Sequence, residues 1–171
     1  RMYKVLIVDD EQMIRMGIKE GIDWKKLGID DAFTAASARE AIQIIEEEQP
    51  ELMITDISMT EMTGLDLIRE IRKRQLNMRI LVLTGYDSFS YARQCLRMQV
   101  QNFLLKPVDE EELTENIRQQ VEYLNEARRQ EELDQSQKRT EGSRQQAELE
   151  RVMWRFISRE SGNVEEVAAV C

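Results

Sequence analysis

Three carboxylates, one hydroxyl and one ammonium group each follow a short apolar run of the sequence. They are Asp9, Asp10, Asp56, Thr84 and Lys106. Carboxylate oxygens are the ligands that Mg²⁺ prefers, a lysine provides a fixed positive charge for phosphoryl oxygens, and a threonine hydroxyl donates a hydrogen bond. The chemistry that uses the whole set in one place is transfer of a phosphoryl group to a carboxylate.

Asp56 is the predicted phosphoacceptor of this set, because its carboxylate can attack phosphorus once the like charges are neutralised. Asp10 and Asp56, helped by Asp9, are predicted to hold Mg²⁺, and the backbone carbonyl of Ser58 is predicted to complete the protein's ligands. Any one of these aspartates is also explained as the cap of the helix that follows it. Helix capping does not explain the complete set of five groups, so the set favours a phosphoryl-transfer site.

The elements that must position these groups follow from the hydrophobic pattern. The predicted strands are residues 5–8, 33–35, 52–54, 80–83 and 103–105. The predicted helices are residues 13–21, 38–48, 65–74 and 89–98, with a fifth capped by Asp109. This alternation predicts an α/β fold with a doubly wound parallel sheet, and the weak strand at 33–35 is expected near an edge. Since the carboxyl ends of such strands face one crevice, the five groups are expected to converge there.

Together with this alternation, Asp9-Asp10, Asp56, Thr84 and Lys106-Pro107 resemble the signature of response-regulator receiver domains, the CheY-like family. The resemblance covers residues 2 to about 125. It implies a flavodoxin-like five-stranded sheet of order 2-1-3-4-5 with five helices. It also implies Mg²⁺-dependent transfer of a phosphoryl group from a sensor histidine kinase to Asp56, with no other enzymatic activity.

The same resemblance implies two further features and shows two departures. Phe103 matches the family's switch aromatic, whose rotamer follows Thr84, and the Lys106-Pro107 bond is expected to be cis. Thr60 stands where the family commonly has proline, which is expected to loosen the loop after Asp56. Gln99 stands where a glycine is usual, so it is expected to need an unusual backbone angle or a reshaped turn.

Within the family, residues 83–113 and the early Trp24 most resemble receivers joined to AraC-type helix-turn-helix output domains. This implies regulation of transcription, with DNA bound only through that missing domain. The alternatives are a receiver controlling an output that does not bind DNA, and a pseudo-receiver that works without phosphorylation. A phosphatase with an aspartyl nucleophile is disfavoured, because Ser58 stands where its general acid would be.

The chain is predicted to divide into a receiver domain, residues 2–125, and a helical linker, residues 126–171. The linker is mostly charged and amide residues, so a solvated helix is favoured over a coiled coil, and Gly142-Ser143 is a candidate interruption. Its thin apolar seam offers weak pairing with a second chain, so a homodimer through the linker is expected. The seam consists of Leu124, Leu133 and Leu149. The apolar residues 152–157 are predicted to open an output-side region whose remainder is missing.

Composition excludes several other functions. The net charge of -9 repels phosphate backbones, so this chain is not expected to bind nucleic acid itself. Histidine is absent, which excludes histidine-based catalysis. No run of about 18 apolar residues is present, so no membrane partner is expected. Two distant cysteines form no plausible zinc or disulfide framework, which favours the bacterial cytoplasm.

Overall fold

The computed structural model describes residues 2–85 and 89–168 and contains five strands and five helices. The strands are β1 (Tyr3–Val8), β2 (Ile29–Ala35), β3 (Leu52–Asp56), β4 (Arg79–Thr84) and β5 (Asn102–Leu105). The helices are α1 (Gln12–Gly21), α2 (Ala38–Glu48), α3 (Gly64–Lys73), α4 (Phe89–Arg97) and α5 (Glu110–Ala168). All the predicted elements are therefore present, and the Asp109 carboxylate caps α5 by accepting the Glu112 N–H at 2.9 Å.

The five strands form one parallel sheet of order β2-β1-β3-β4-β5, which confirms the predicted fold. The order reverses between the neighbours β1 and β3, whose carboxyl ends lie side by side with Val8 opposite Thr55. In sheets of this kind the crevice at such a reversal is the usual binding site. The first acidic pair follows β1 and Asp56 ends β3, so both are placed at this crevice.

The edge strand β2 begins earlier than the sequence pattern predicts. It pairs with β1 from Ile29 to Ala35, whereas the apolar pattern starts only at Phe33. Asp30 and Asp31 are exposed because this strand has a neighbour on one side only. An exposed edge needs no apolar side chains there, which is why the pattern missed the first residues.

Alternate side chains of the sheet pack into two hydrophobic clusters, one on each face. Leu6 and Val8 point into the cluster that α2 and α3 cover, while Val5 and Ile7 point into the cluster that α1 and the start of α5 cover. The only cysteine side chain in the described part, Cys95 of α4, is buried in the first cluster. Burial on both faces explains why the central strands are continuously apolar in sequence.

Arg72 of α3 holds the turn between α4 and β5. Its guanidinium donates to the carbonyls of Met98 and Gln99, at 2.9 Å each, and to those of Leu76 and Met78 at 3.2 and 3.0 Å. Gln99 has a φ of 56°, which confirms that a residue other than glycine takes an unusual backbone angle here. The Arg72 hydrogen bond to its carbonyl helps to fix that conformation.

Residues 1–124 and 125–171 form two separate compact units. The described part of the second unit is helical, with no interruption at Gly142-Ser143. On one helix, Leu133 and Leu149 lie about 160° apart, so the predicted seam does not share a face and that part of the prediction is wrong. Although α5 is 59 residues long, no helix in the described part of the chain is long and apolar enough to cross a membrane.

Candidate functional site

Three carboxylates meet at the carboxyl end of the central strands. Asp9 and Asp10 directly follow β1, and Asp56 is the last residue of β3. One oxygen from each side chain lies within 4.8 Å of the others. Asp9 and Asp56 are buried, whereas Asp10 is exposed at the mouth of the crevice. The structure thus brings together the acidic groups that the sequence analysis singled out.

Lys106, directly after β5, reaches across to these carboxylates. Its Nζ lies 2.9 Å from Asp9 Oδ2, 3.3 Å from Asp56 Oδ2 and 4.0 Å from Glu11 Oε1. The peptide bond between Lys106 and Pro107 is cis. Burial alone would lower the pKa of Lys106, but the hydrogen bond to Asp9 and the negative charges of Asp56 and Asp9 outweigh it and raise that pKa. The lysine is therefore a fixed cation within the site.

Asp9 is engaged on both of its carboxylate oxygens. Oδ1 accepts the backbone N–H of Glu11 at 2.9 Å, and Oδ2 accepts Lys106 Nζ. A buried carboxylate with both oxygens bonded is held in place. Asp9 thus orients Lys106 and adds negative charge beside Asp56.

The pKa of Asp56 is raised above that of an ordinary carboxyl group. Burial is the largest cause, and the Asp9 charge adds to it, while Lys106 and a backbone hydrogen bond from Ser58 act in the opposite direction. Three carboxylates, those of Asp9, Asp10 and Asp56, thus share the site with one lysine ammonium group. Clustered carboxylate oxygens with surplus charge are the donor set that suits a hard divalent cation, so the residues present fit Mg²⁺.

The raised pKa of Asp56, caused mainly by burial, predicts that Asp56→Asn stabilises the metal-free protein at neutral pH. Because the folded-state pKa of Asp56 is raised, the wild type loses stability as pH rises from the ordinary carboxyl range through that pKa. An amide does not ionise, so the advantage of the variant should vanish below the ordinary carboxyl range. Urea unfolding in EDTA at both pH values measures this, with the exposed Asp30→Asn as the control. A less stable Asp56→Asn protein at neutral pH would contradict the prediction.

Gly64 is a site residue that the sequence analysis missed. A Cβ atom added at this position would lie 1.9 Å from the backbone oxygen of Asp56, so the start of α3 touches the end of β3 directly. Thr63 and Asp66 form a capping box that fixes this end of the helix. A glycine at the first helical position, where it weakens a helix, was the signal available in the sequence.

The loop before Gly64 lacks the proline that is common in the family. Met62 N–H donates to the Thr60 carbonyl at 2.9 Å, and the intervening Glu61 has a φ of 66°. A tight turn with a left-handed residue thus takes the place of a proline-shaped turn.

Thr84 and Phe103, the proposed switch pair, lie on the neighbouring strands β4 and β5. Thr84 is buried, and its hydroxyl donates to its neighbour's carbonyl, Gly85 O, at 3.4 Å. Phe103 is 37% exposed. In this structure the residue is therefore partly in solvent.

Comparison with known proteins decides the family. The response regulator receiver domain family matches residues 5–118. The chain belongs to the response regulator receiver family. The receiver domain of AraT, a response regulator from Geobacillus stearothermophilus, is 38% identical, with a TM-score of 0.71 over 75% of this chain and 99% of that one. A two-component transcriptional regulator AraC from Clostridium phytofermentans is 29% identical, with a TM-score of 0.67 over 75% and 98%.

Among curated proteins, an uncharacterized response regulatory protein of Staphylococcus epidermidis is 41% identical over 112 residues, 66% of this chain. The transcriptional regulatory protein HptR of Staphylococcus aureus is 40% identical over the same length. The chain spans 44% of the length of these curated relatives. It is thus the receiver domain of a two-component response regulator with transcriptional regulators among its relatives, and no enzyme family is indicated. Receiver domains of this family bind Mg²⁺ at an acidic pocket and interact with sensor histidine kinases.

Proposed function

We propose that this receiver accepts a phosphoryl group on Asp56 from a sensor histidine kinase and returns it to water. The proposal is carried by one observation: Lys106 Nζ lies 3.3 Å from Asp56 Oδ2, beside the Asp9 and Asp10 carboxylates. A pseudo-receiver would have no need for a buried carboxylate kept next to both a cation and a second carboxylate. The set therefore favours phosphorylation over a binding role alone.

In the transfer, an Asp56 carboxylate oxygen forms a bond to phosphorus while the bond from phosphorus to the donor's histidine nitrogen breaks. The histidine nitrogen leaves with the electron pair of that bond. Lys106 pairs with a phosphoryl oxygen, and Asp9 holds the lysine in position. Asp10 and Asp56, with Asp9 and the Ser58 carbonyl, would hold Mg²⁺, which when bound neutralises charge on the phosphoryl oxygens.

Intact-mass spectrometry tests the proposal. The protein is incubated with Mg²⁺ and a small phosphodonor, and one phosphoryl group per chain is expected. The same incubation with EDTA is expected to give none, because the surplus negative charge of the site then opposes attack. A protein that stays unmodified with Mg²⁺ would support the pseudo-receiver.

Phosphorylation is proposed to shift Thr84 and Phe103 together. Among the residues that the structure describes, the Thr84 hydroxyl makes a long hydrogen bond to Gly85 O, and a phosphoryl group on Asp56 would offer it a stronger, charged acceptor. Movement of Thr84 vacates space for the partly exposed Phe103 ring, and burial of aromatic area favours the inward position. The phosphoryl group shifts this equilibrium as far as its differential contacts allow.

Aromatic NMR is expected to show a changed Phe103 environment on phosphorylation. Phe33, on the far edge strand β2, serves as the internal control and should not change. In Thr84→Val, which keeps the shape but removes the hydroxyl, phosphorylation should leave the Phe103 signal largely where it was. An unchanged Phe103 environment in the phosphorylated wild type would rule out the coupling.

The output is proposed to be an AraC-type DNA-binding domain, with the complete protein in the cytoplasm. Support comes from the likeness to the two-component transcriptional regulator AraC of Clostridium phytofermentans, and from the resemblance that residues 83–113 show to receivers of this type. DNA would be bound through that domain and not through this acidic chain. The same likeness supports treating residues 2–125 as the receiver and residues 126–171 as the linker toward the output.

A homodimer is proposed through the end of the linker rather than along all of it. The large apolar side chains Leu149, Val152, Met153, Phe156 and Ile157 are all exposed. On an α-helix they fall within a stripe of about 140°. Residues 125–148 have no comparable stripe, so pairing is confined to residues 149–157. Phosphorylation is proposed to tune this dimer and not to create it.

Light scattering is expected to show that Phe156→Glu weakens the dimer strongly, because a charge would be buried in the paired stripe. Leu133→Glu is the matched control, since Leu133 is also exposed but lies on the opposite side of the helix from Leu149. A monomeric wild type at high concentration, or equal effects of the two variants, would contradict this interface.

A further inference from the structure

Arg15 of α1 makes an unusual contact with the acidic site. Its Nη1 donates to the backbone carbonyl of Asp9 at 2.8 Å. Arg15 forms no ion pair with a carboxylate among the residues that the structure describes. It also lies only four residues after Glu11, near the positive end of the α1 dipole, where a cation is disfavoured. The contact with Asp9 therefore accounts for this arginine better than helix stability does.

The carbonyl that Arg15 binds belongs to the peptide unit joining Asp9 to Asp10. The backbone N–H of Asp9 donates to Ala35 at 3.2 Å, and its side chain is held by Lys106 and Glu11. Asp10 differs, because its exposed carboxylate has no hydrogen bond within the described residues. The peptide unit before Asp10 is the one whose carbonyl Arg15 holds.

We propose that Arg15 is a positioning residue for the cation site: by binding the Asp9 carbonyl, it fixes the Asp9–Asp10 peptide plane and so directs the Asp10 carboxylate toward Asp56. This inference rests on the proposed Mg²⁺-dependent phosphorylation. It is distinct from that function, because Arg15 contacts neither Asp56 nor the incoming phosphoryl group and acts only through the backbone.

Whether Mg²⁺ affinity rises or falls when Arg15 is replaced distinguishes a positioning role from a simple effect of its positive charge. Removing a cation near three carboxylates should strengthen binding of a divalent cation by Coulomb's law. Loss of positioning should weaken it, and residues that orient metal ligands typically change affinity by about 10–100-fold. We expect Arg15→Met to weaken Mg²⁺ binding about tenfold.

Calorimetric titration of the full chain with Mg²⁺ alone tests this, without a phosphodonor. Arg15→Lys keeps a donor and the charge and is expected to restore most of the affinity. Lys19→Met removes an exposed cation from the same helix without touching the site, and should leave the affinity unchanged. Urea unfolding of each variant in EDTA reports any general loss of structure.

Each outcome decides the matter. Weaker Mg²⁺ binding in Arg15→Met, with Arg15→Lys close to the wild type, supports positioning. Tighter binding, or unchanged binding with only a lower free energy of unfolding, overturns it and leaves the proposed function intact. If Arg15→Met does not fold, Arg15→Lys is titrated with Mg²⁺ instead. Because lysine keeps both a donor and the charge, the proposal expects nearly wild-type affinity. A tenfold loss of affinity in this variant would overturn it. A wild type that binds no Mg²⁺ overturns the proposed function itself.

Discussion

Asp56→Ala is expected to abolish phosphoryl uptake completely, because it removes the carboxylate at the end of β3, which lies 3.3 Å from Lys106 Nζ. The remaining carboxylates are poor substitutes. Asp9 already has both oxygens engaged, and Asp10 is exposed and makes no hydrogen bond to Lys106 among the described residues. Intact mass after incubation with Mg²⁺ and a small phosphodonor is the measurement, and the expected result is the unmodified mass.

Two companion variants make this result specific. Asp30→Ala removes an exposed aspartate from the edge strand β2 and should take up the phosphoryl group as the wild type does. Asp9→Ala should keep the acceptor but weaken Mg²⁺ binding, since it removes one carboxylate of the cluster and the acceptor for Lys106. A fully phosphorylated Asp56→Ala protein would place the acceptor elsewhere.

Gly64→Ala is expected to lower the free energy of unfolding by about 3 kcal/mol, the upper part of the range for overpacked sites. The added methyl would lie 1.9 Å from the Asp56 carbonyl oxygen. The backbone alone sets the position of both atoms, so no rotamer change can separate them. Either α3 or the end of β3 must shift. Because the shift is transmitted to Asp56, the rate of phosphorylation should fall as well. Urea unfolding and the mass assay measure the two effects.

Gly17→Ala is the matched control for this substitution. Gly17 lies within α1, and a Cβ atom added there meets nothing within 4 Å. Alanine in place of glycine within a helix should therefore raise stability by up to about 1 kcal/mol. A Gly64→Ala protein as stable as the wild type would show that the approach of α3 to Asp56 is not restrictive.

The fold and the acidic site could be predicted from the sequence, because both depend on patterns that are visible along the chain. Continuous apolar runs mark strands that are buried on both faces, and Asp56 follows such a run directly. Where a strand has a solvent-exposed side, as at Asp30 and Asp31, that signal is absent and the start of β2 was missed. The predicted linker seam was wrong for a related reason. Leu133 and Leu149 stand at intervals along the sequence that suggest one apolar face, but on a helix they lie about 160° apart around the axis.

Other features of the site depend on contacts between distant backbone atoms, for which residue type gives little indication. Gly64 is required by a carbonyl eight residues before it, and Arg15 serves a carbonyl in the preceding loop. In both contacts the partner is a backbone carbonyl, which every residue has. The identity of the partner residue therefore does not reveal the contact. A glycine where a helix starts, and an arginine near the positive end of a helix, are the only traces they leave in the sequence.

The burial of Cys95 makes its reactivity a measure of how often α4 opens. Burial raises the pKa of its thiol, and a thiol packed inside a hydrophobic cluster is unreactive until the helix that carries it opens. The rate of alkylation therefore reports how often α4 separates from the sheet. With Cys171 replaced by serine, alkylation of Cys95 can time the opening of α4 before and after phosphorylation without introducing a new cysteine.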